Sequence, residues 1–463
     1  MSRRPTIVVI IIALAVALAA CGSSSKSNAS KTPTTTAASG SSAFPVSTTV
    51  SQGITNSTIK VGVSLIDYTC LPKSLFGSIR VNQDVAYRAY FTDINQHGGI
   101  DGRQIVPVFA TFCPVGSITA LRVCTKFTED DKVFAVMGTM FDTSGDAQTC
   151  VAKRHNVPLV TFDLTQAIMD KSPPGLIIFA GPNPERIAAV VLQLAKQEGT
   201  LNGKTVAVLA ESTSASRVKS TIEPALKAMP GVKTGSTAYI SVGSSQDTTA
   251  QQAQLDAFIE RWKSESVNAV FIAGTALSST QFVDEITKKM PGVLLLTDSP
   301  DALNSAQAET QAGKNPNPYQ GMLTAVGPTQ HEYDNSANWA YCSKIYQQQT
   351  GKPAPNGEQV VKQADGTPLD TYGNINDACQ LVTLFHDIMV KVGKYPNVPN
   401  WQYVVDRYGP ITNRGGGQYA SLTKGKYDID DTFRLVEFDT ATGGPKGGWK
   451  PLTPIYNITG TGG

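Results

Sequence analysis

Histidine is scarce in this chain of 463 residues: there are four, His97, His155, His331 and His386. None stands in an H-E-x-x-H or another paired spacing that would hold a metal, so neither a metal nor any other cofactor is expected. The loops G-x-x-x-x-G-K-[ST] and G-x-G-x-x-G, which cradle phosphates, are missing, and so is the G-x-S-x-G nucleophile elbow. Aspartate pairs such as Asp130-Asp131 and Asp430-Asp431 are adjacent in sequence and read as solvated surface rather than acid/base machinery. Nothing here supports catalysis, and an enzyme is not expected. Excess charge is missing too. Lys and Arg number 39 against 37 Asp and Glu, and without Arg3 and Arg4 the balance is 37 to 37. Such a surface offers no electrostatic footprint for nucleic acid. After the first twenty residues no apolar run approaches the roughly 20 residues that span a bilayer, so the body of the chain is expected to be soluble.

What is present begins with an address. Ser2-Arg3-Arg4 is a positive n-region and residues 7–20 are an uncharged apolar run, short for a membrane span but suited to a signal-peptide core. The run ends in Leu18-Ala19-Ala20-Cys21-Gly22, which resembles the lipobox of bacterial lipoproteins. The resemblance implies a signal peptide over 1–20 and a mature chain acylated at Cys21, held at the outer face of the cell membrane by lipid alone; two or more acyl chains give stable anchoring. The other reading is an ordinary secretory signal with a chance cysteine at its cleavage site. Residues 21–54 are rich in Ser, Thr and Ala without apolar periodicity and read as a flexible tether. Six further cysteines (Cys70, Cys113, Cys124, Cys150, Cys342 and Cys379) in an exported chain point to disulfides, with fifteen connectivities open.

From residue 59 short β-branched runs alternate with amphipathic helical patterns, the signature of a mainly parallel sheet built from βαβ units. Strands are expected at 59–66, 104–110, 133–137 and 158–162. The helices between them begin near 78, run through Leu121, Cys124 and Phe127, and cover 143–155. A second series follows residues 176–179. It opens with Asn183-Pro184, an N-cap followed by proline at the first helical position. Strands at 205–210, near 237–242, and at 267–273 and 293–297 belong to it. The chain then runs on through 321–326, helices near 337–349 and 375–393, and strand-like stretches at 433–438 and 449–455. Two α/β halves joined by several crossings form a hinge over a cleft.

Residues 59–63 (Ile-Lys-Val-Gly-Val), 95–103 (Asn-Gln-His-Gly-Gly-Ile-Asp-Gly-Arg), 132–138 (Lys-Val-Phe-Ala-Val-Met-Gly), Asn156-Val157-Pro158 and Gly203-Lys204-Thr205-Val206-Ala207-Val208 occur in an order and spacing that resembles the leucine/isoleucine/valine-binding branch of the type I periplasmic binding proteins. The resemblance implies a two-lobed type I periplasmic binding fold with a multi-strand hinge. It implies a monomer that captures a small polar ligand (an amino acid, an amide or another small solute) and hands it to an ABC permease. Lobe 1 is expected over 55–180 and about 323–403, lobe 2 over 181–322 and about 404–463, with hinge positions near 180–182, 325–328 and a third beyond residue 393. A ligand-sensing or partner-binding lipoprotein of the same fold is the alternative.

In open α/β sheets ligands bind beyond the carboxyl ends of the strands. That rule selects Asp67 and Tyr68, the loop with Phe141, Asp142, Thr143 and Ser144, then Asp163 and Thr165, and on the second lobe Glu211, Thr275 and Asp298. The resemblance implies that Asp142, Thr143, Ser144 and Thr165 stand where a ligand carboxylate is held, with Asp298 or Ser299 near its ammonium. The sequence departs from that pattern: Ala215 and Thr275 stand where aromatics are usual. A cleft edged by Asp67, Asp142, Asp163, Glu211 and Asp298 suits a cationic, amide or polyhydroxy ligand. The bland reading makes these acids helix caps, favoured for Glu211. Placement on neighbouring strands and successive helices pairs Cys70 with Cys113, Cys124 with Cys150 and Cys342 with Cys379.

Overall fold

The structure, a computed structural model, describes residues 44–459 apart from 71–77, 115–116, 141–143, 163, 242–247 and 412–418. The expected signal peptide and Cys21 lie outside the described residues. From Val61 to Leu65 every residue of Thr58–Ile66 (β1) is buried, the pattern of a strand covered on both faces. It pairs in parallel with Gln104–Phe112 (β2) and Ala135–Gly138 (β3); Leu159–Thr161 (β4) and Ile177–Phe179 (β5) complete an all-parallel sheet of order β2-β1-β3-β4-β5. The turn from Gln83–Gln96 (α1) into β2 requires glycine at Gly99. Its φ is +72°, and a Cβ there would lie 2.1 Å from the Arg103 carbonyl oxygen.

The helix expected from residue 78 starts five residues later. Ile79 donates its N–H to the Pro368 carbonyl (3.0 Å) and accepts from the Asp370 N–H (2.9 Å), a pairing that keeps the chain before Asn82 out of the helix.

The second sheet contains Thr205–Glu211 (β6), Lys233–Ile240 (β7), Ala269–Ala273 (β8), Leu294–Thr297 (β9) and Leu323–Val326 (β10), all parallel. Thr432–Asp439 (β11) and Gly448–Pro451 (β12) extend it antiparallel, in the order β12-β11-β10-β9-β8-β6-β7, and Tyr456–Asn457 (β13) pairs with β11. The helix Pro184–Gln197 (α2) leads into this sheet. Its Asn183 cap accepts the Arg186 N–H at 2.8 Å.

Two lobes follow from the cores. One cluster joins Ile54–Ala180 side chains to Tyr333–Ile429 side chains, and two others cover the faces of the second sheet. The return to the first lobe, expected at residue 323, comes after Val326, because β10 pairs with β9 and β11. The final crossing, expected at 404, comes after Ile429. Trp401, Val404, Val405, Ile411 and Leu422 fill the first core instead. There the chain runs beside β5: the Phe179 N–H donates to the Tyr427 carbonyl (2.8 Å) and the Ile429 N–H to the Phe179 carbonyl (3.1 Å). Arg186, almost fully buried, pairs with Asp428 (2.6 Å) and Asp431 (3.2 Å) and donates to the Ile458 carbonyl, locking the first crossing to the last.

The tether is also shorter than its composition suggests. Phe44 stacks on Tyr403 with centroids 5.2 Å apart. The Val46 and Ser47 N–H groups donate to Asn400 Oδ1 (2.7 and 3.1 Å), and Asn397 Nδ2 donates to the Ser47 and Thr49 carbonyls. Two asparagine amides far along the chain thus satisfy the backbone of residues 46–49, and Ile54 is buried in the first core. Disulfides join Cys70 to Cys113, Cys124 to Cys150 and Cys342 to Cys379. The last ties Ala337–Thr350 (α3) to Thr371–Val392 (α4). No described helix is long and apolar enough to cross a membrane.

Candidate ligand-binding cleft

The second lobe presents a buried charged wall at its strand ends. Glu211, the last residue of β6, accepts the Ala276 N–H at 2.8 Å, and Asp298, just past β9, accepts the Gly274 N–H at 3.0 Å. Glu211 therefore braces the loop after β8 rather than capping its own turn. Gly274 has a φ of +130°, and a Cβ there would come within 2.3 Å of Glu211 Oε1, so only glycine lets the loop pass. Arg217 Nε lies 2.7 Å from Asp298 Oδ2 and its Nη1 lies 3.7 Å from Glu185 Oε1. Burial pushes both the Glu211 and the Asp298 carboxyls up, against the pull of Arg217 and the backbone donors. Glu185 also reaches across to the first lobe, accepting the Gln166 N–H at 3.0 Å. Nearby, Ser299 Oγ donates to Thr275 Oγ1 at 3.1 Å.

On the first lobe, Thr165 caps the single turn Gln166–Met169 through the Ile168 N–H, and Ser144 is exposed, its Oγ accepting the Asp146 N–H at 3.3 Å. Phe141, Asp142, Thr143 and Asp163 lie outside the described residues. Asp67 accepts from the Thr69 N–H and hydroxyl. It lines a hollow of about 310 Å³ with Cys113, Thr119, Arg122 and Lys126, all on the first lobe. Tyr68 follows it, half-buried, and bears on the charge of Arg80.

A second cavity, about 130 Å³, opens between the lobes. The first lobe contributes Ser78, Arg80, Asp370, Tyr372, Asn376 and Asp377. The second contributes Leu303, Asn304, Gln307 and Gln311 from Ala302–Gln311 (a helix following β9), and Lys446. Arg80 Nε pairs with Asp370 Oδ2 at 2.8 Å and its Nη1 with Asp377. Against the burial that opposes its charge, Asp370 is held below the usual carboxylate range by Arg80; burial pushes Asp377 up. Burial lowers Lys446, opposed by Asp370, Asp334 and Glu358 of the first lobe. Tyr372 is braced from behind by Trp339, centroids 4.7 Å apart.

Of the residues selected from sequence, the structure brings Glu211, Thr275 and Asp298 together on one wall, and sets Asp67 in a separate hollow. None of the described ones lines the interlobe cavity. Sequence reasoning missed Arg80, Arg217, Asp370 and Asp377 because their partners lie up to 297 residues away. The cap that Asp370 provides to Gly373 (2.7 Å) at the start of α4 was the one local signal. His155 lies beside the Cys124–Cys150 bridge, whose sulfurs are bonded to each other and so are not free to hold an ion.

The profile of a family described as periplasmic binding protein matches residues 58–363. No curated protein matches the chain. Among solved structures, the fatty acid ABC transporter substrate-binding protein from Thermomonospora curvata is 14% identical with a TM-score of 0.63, covering 90% of this chain and 96% of its own. An ABC transporter solute binding protein from Rhodopseudomonas palustris BisB5, in complex with 3,4-dihydroxybenzoic acid, is 15% identical with a TM-score of 0.60, covering 87% and 98%. A leucine-, isoleucine-, valine-, threonine- and alanine-binding protein from Brucella ovis in a closed conformation is 14% identical with a TM-score of 0.60, covering 86% and 95%.

Proposed function

We propose, from the premise that this chain belongs to the periplasmic binding protein family, that it captures a small polar solute between its lobes by hinge closure and delivers it to an ABC permease. The family is one of solute-binding proteins rather than enzymes, and it works outside the cytoplasm. The observation that carries the reading is the polar cavity lined from both lobes, which are tied by three crossings among the described residues. Residues after strand ends on both lobes, including Tyr68, Ser144, Thr165 and Thr275, are proposed to meet the solute as the lobes approach. Closure needs a solute that binds the closed state better than the open one, which contacts from both lobes provide. The order and spacing of the stretches from residues 59–63 to 203–208, rather than any one of them, support the leucine/isoleucine/valine-binding branch. Lipid anchoring at Cys21, which the Leu18–Gly22 pattern supports, and a monomeric state, which rests on the family resemblance alone, complete the proposal.

A thermal-shift screen of the purified protein against amino acids, amides, polyols, polyamines and aromatic acids tests capture. A solute at a hundred times its dissociation constant adds about 2.7 kcal/mol of stability. A saturable shift supports solute capture, and none across the panel refutes it. Separately, Cys21→Ala is expected to release the protein from the membrane fraction; retention refutes lipid anchoring.

A further inference from the structure

We infer that the Cys70–Cys113 bridge, at the carboxyl ends of β1 and β2, is a modification site: in the folded protein a small thiol opens it by attack on Cys70 and so releases the turn Tyr68–Cys70 from β2. Burial separates the three bridges. Cys124, Cys150, Cys342 and Cys379 are each no more than 1% exposed and belong to the first core. Cys70 is exposed and Cys113 half-buried, and Cys113 also lines the hollow of about 310 Å³. A thiol reaches the buried sulfurs after the core has opened, so their exchange is slowed by the free energy of that opening. The bridge at Cys70 needs no such opening, and exposed bridges are the labile ones.

The step is thiol–disulfide exchange. A thiolate forms a bond to Cys70 Sγ, the Cys70–Cys113 bond breaks, and Cys113 leaves with the electron pair as a thiolate that takes a proton from water. A second thiol attacks the incoming sulfur of the mixed disulfide and frees Cys70, so that two thiols give up two electrons and depart as one disulfide. The surroundings favour Cys113 as the leaving group. Its hollow also holds Arg122 and Lys126, cations that stabilise a thiolate, against the one carboxylate of Asp67. Lys126 is shared with Asp131 at 2.9 Å, and Asp67 Oδ1 accepts the Thr69 N–H and hydroxyl at 2.9 and 2.6 Å. Release is one-sided as well. Cys113 stays held from its other side, its carbonyl accepting the Thr119 hydroxyl at 2.6 Å. Thr69 instead bonds to Asp67 within its own turn, and the ladder to β2 ends where the Asp67 N–H meets the Phe112 carbonyl at 2.8 Å. The bridge is the covalent tie beyond that point. The turn carries Tyr68, proposed above to meet the solute, and that consequence alone rests on the solute-binding reading.

The test is graded reduction of the folded full chain with dithiothreitol, followed by acid quench, alkylation with N-ethylmaleimide and peptide mass mapping. Cys70 and Cys113 are expected to be labelled at least about 100-fold faster than the other four bridge cysteines. Labelling of all six together, or of a buried pair first, overturns the site. With glutathione in place of dithiothreitol the mixed disulfide is expected on Cys70; an adduct on Cys113 overturns the direction of attack, and none on either overturns exchange. In the selectively reduced protein, amide hydrogen exchange at residues 67–70 is expected to speed by at least about 10-fold while the helix Ile118–Thr125 is unchanged. Unchanged exchange at 67–70 overturns release of the turn. All three measurements are made without solute, so a failure of solute capture leaves their outcome intact.

Discussion

Replacing Arg186 by methionine is expected to cost this protein about 3–5 kcal/mol, the range for removing one partner of a buried ion pair. Arg186 sits 4% exposed between Asp428 and Asp431, whose side chains are each 3% exposed. The two carboxylates do not lose equally. Asp431 keeps Lys426 at 3.0 Å and the Ser421 hydroxyl, whereas Asp428 keeps Lys426 only at 3.8 Å and the Asn183 N–H at 3.3 Å. Asp428 is therefore the stranded charge. Methionine retains most of the packing over Phe433, whose ring centroid lies 5.2 Å from the guanidinium, so the cost is electrostatic rather than a cavity. For roughly 400 folded residues the unfolding entropy is about 0.9 kcal/mol per degree, so the loss reads as about 3–6 °C if the protein melts as one unit. Urea denaturation followed by tryptophan fluorescence gives the free energy directly. The double variant Arg186→Met/Asp428→Asn is expected to recover at least about 1.5 kcal/mol, since it removes the stranded charge along with its partner. A single-variant loss under about 1 kcal/mol, or a double variant no better than the single, refutes the account.

Three other expectations are independent of that one. Gly274→Ala combines a backbone φ of +130° with a Cβ 2.3 Å from Glu211 Oε1, and is expected to cost about 1–3 kcal/mol in the same denaturation assay; a neutral result means the loop relaxes. Asp430 is pushed up from 3.8 to about 6 by burial and by Asp428 and Asp431, against Lys426 and Arg186. The folded protein thus holds this proton more tightly than the unfolded chain, and its contribution to stability declines as pH rises from about 4 to 6. Because Asp430 is only half-buried, Asp430→Asn should gain about 1 kcal/mol at pH 7 and nothing at pH 3; parallel stability-pH curves for the two proteins would contradict this. Cys124→Ala/Cys150→Ala opens a loop closed across 26 residues and is expected to cost about 3.5 kcal/mol on chain entropy, with an unchanged urea midpoint as the refuting outcome.

The fold was legible where burial forces a pattern. β1 reads as a strand because its residues 61–65 are all buried, and Asn183-Pro184 reads as a helix start because cap and proline act within three residues. The site was legible only by rule: strand ends led to Glu211, Thr275 and Asp298, but not to the cavity. The helix Ala302–Gln311, which supplies four lining residues, buries Ala302, Ala306 and Gln307, so no stripe of large apolar side chains announces it. Arg80 faces the cleft because residues 79–81 are held by a pairing with residues 368–370, a contact no local propensity encodes. The docked segment 44–54 was hidden for the same reason: its partners, Asn397 and Asn400, lie some 350 residues away.

The interleaving of the two cores also bears on how the chain matures as it emerges from a translocation pore. The first sheet is complete by Phe179, yet α3 and α4, which share its core, arrive only after the whole parallel part of the second sheet has been made. Until then the first lobe holds an uncovered apolar face, a state prone to off-pathway association. Cys70–Cys113 and Cys124–Cys150 both fall within that early stretch and can close while it waits, whereas Cys342–Cys379 belongs to the helices that cover it. The order in which thiols disappear during refolding, two bridges early and one late, thus becomes a clock for lobe completion, readable by trapping free cysteines at successive times.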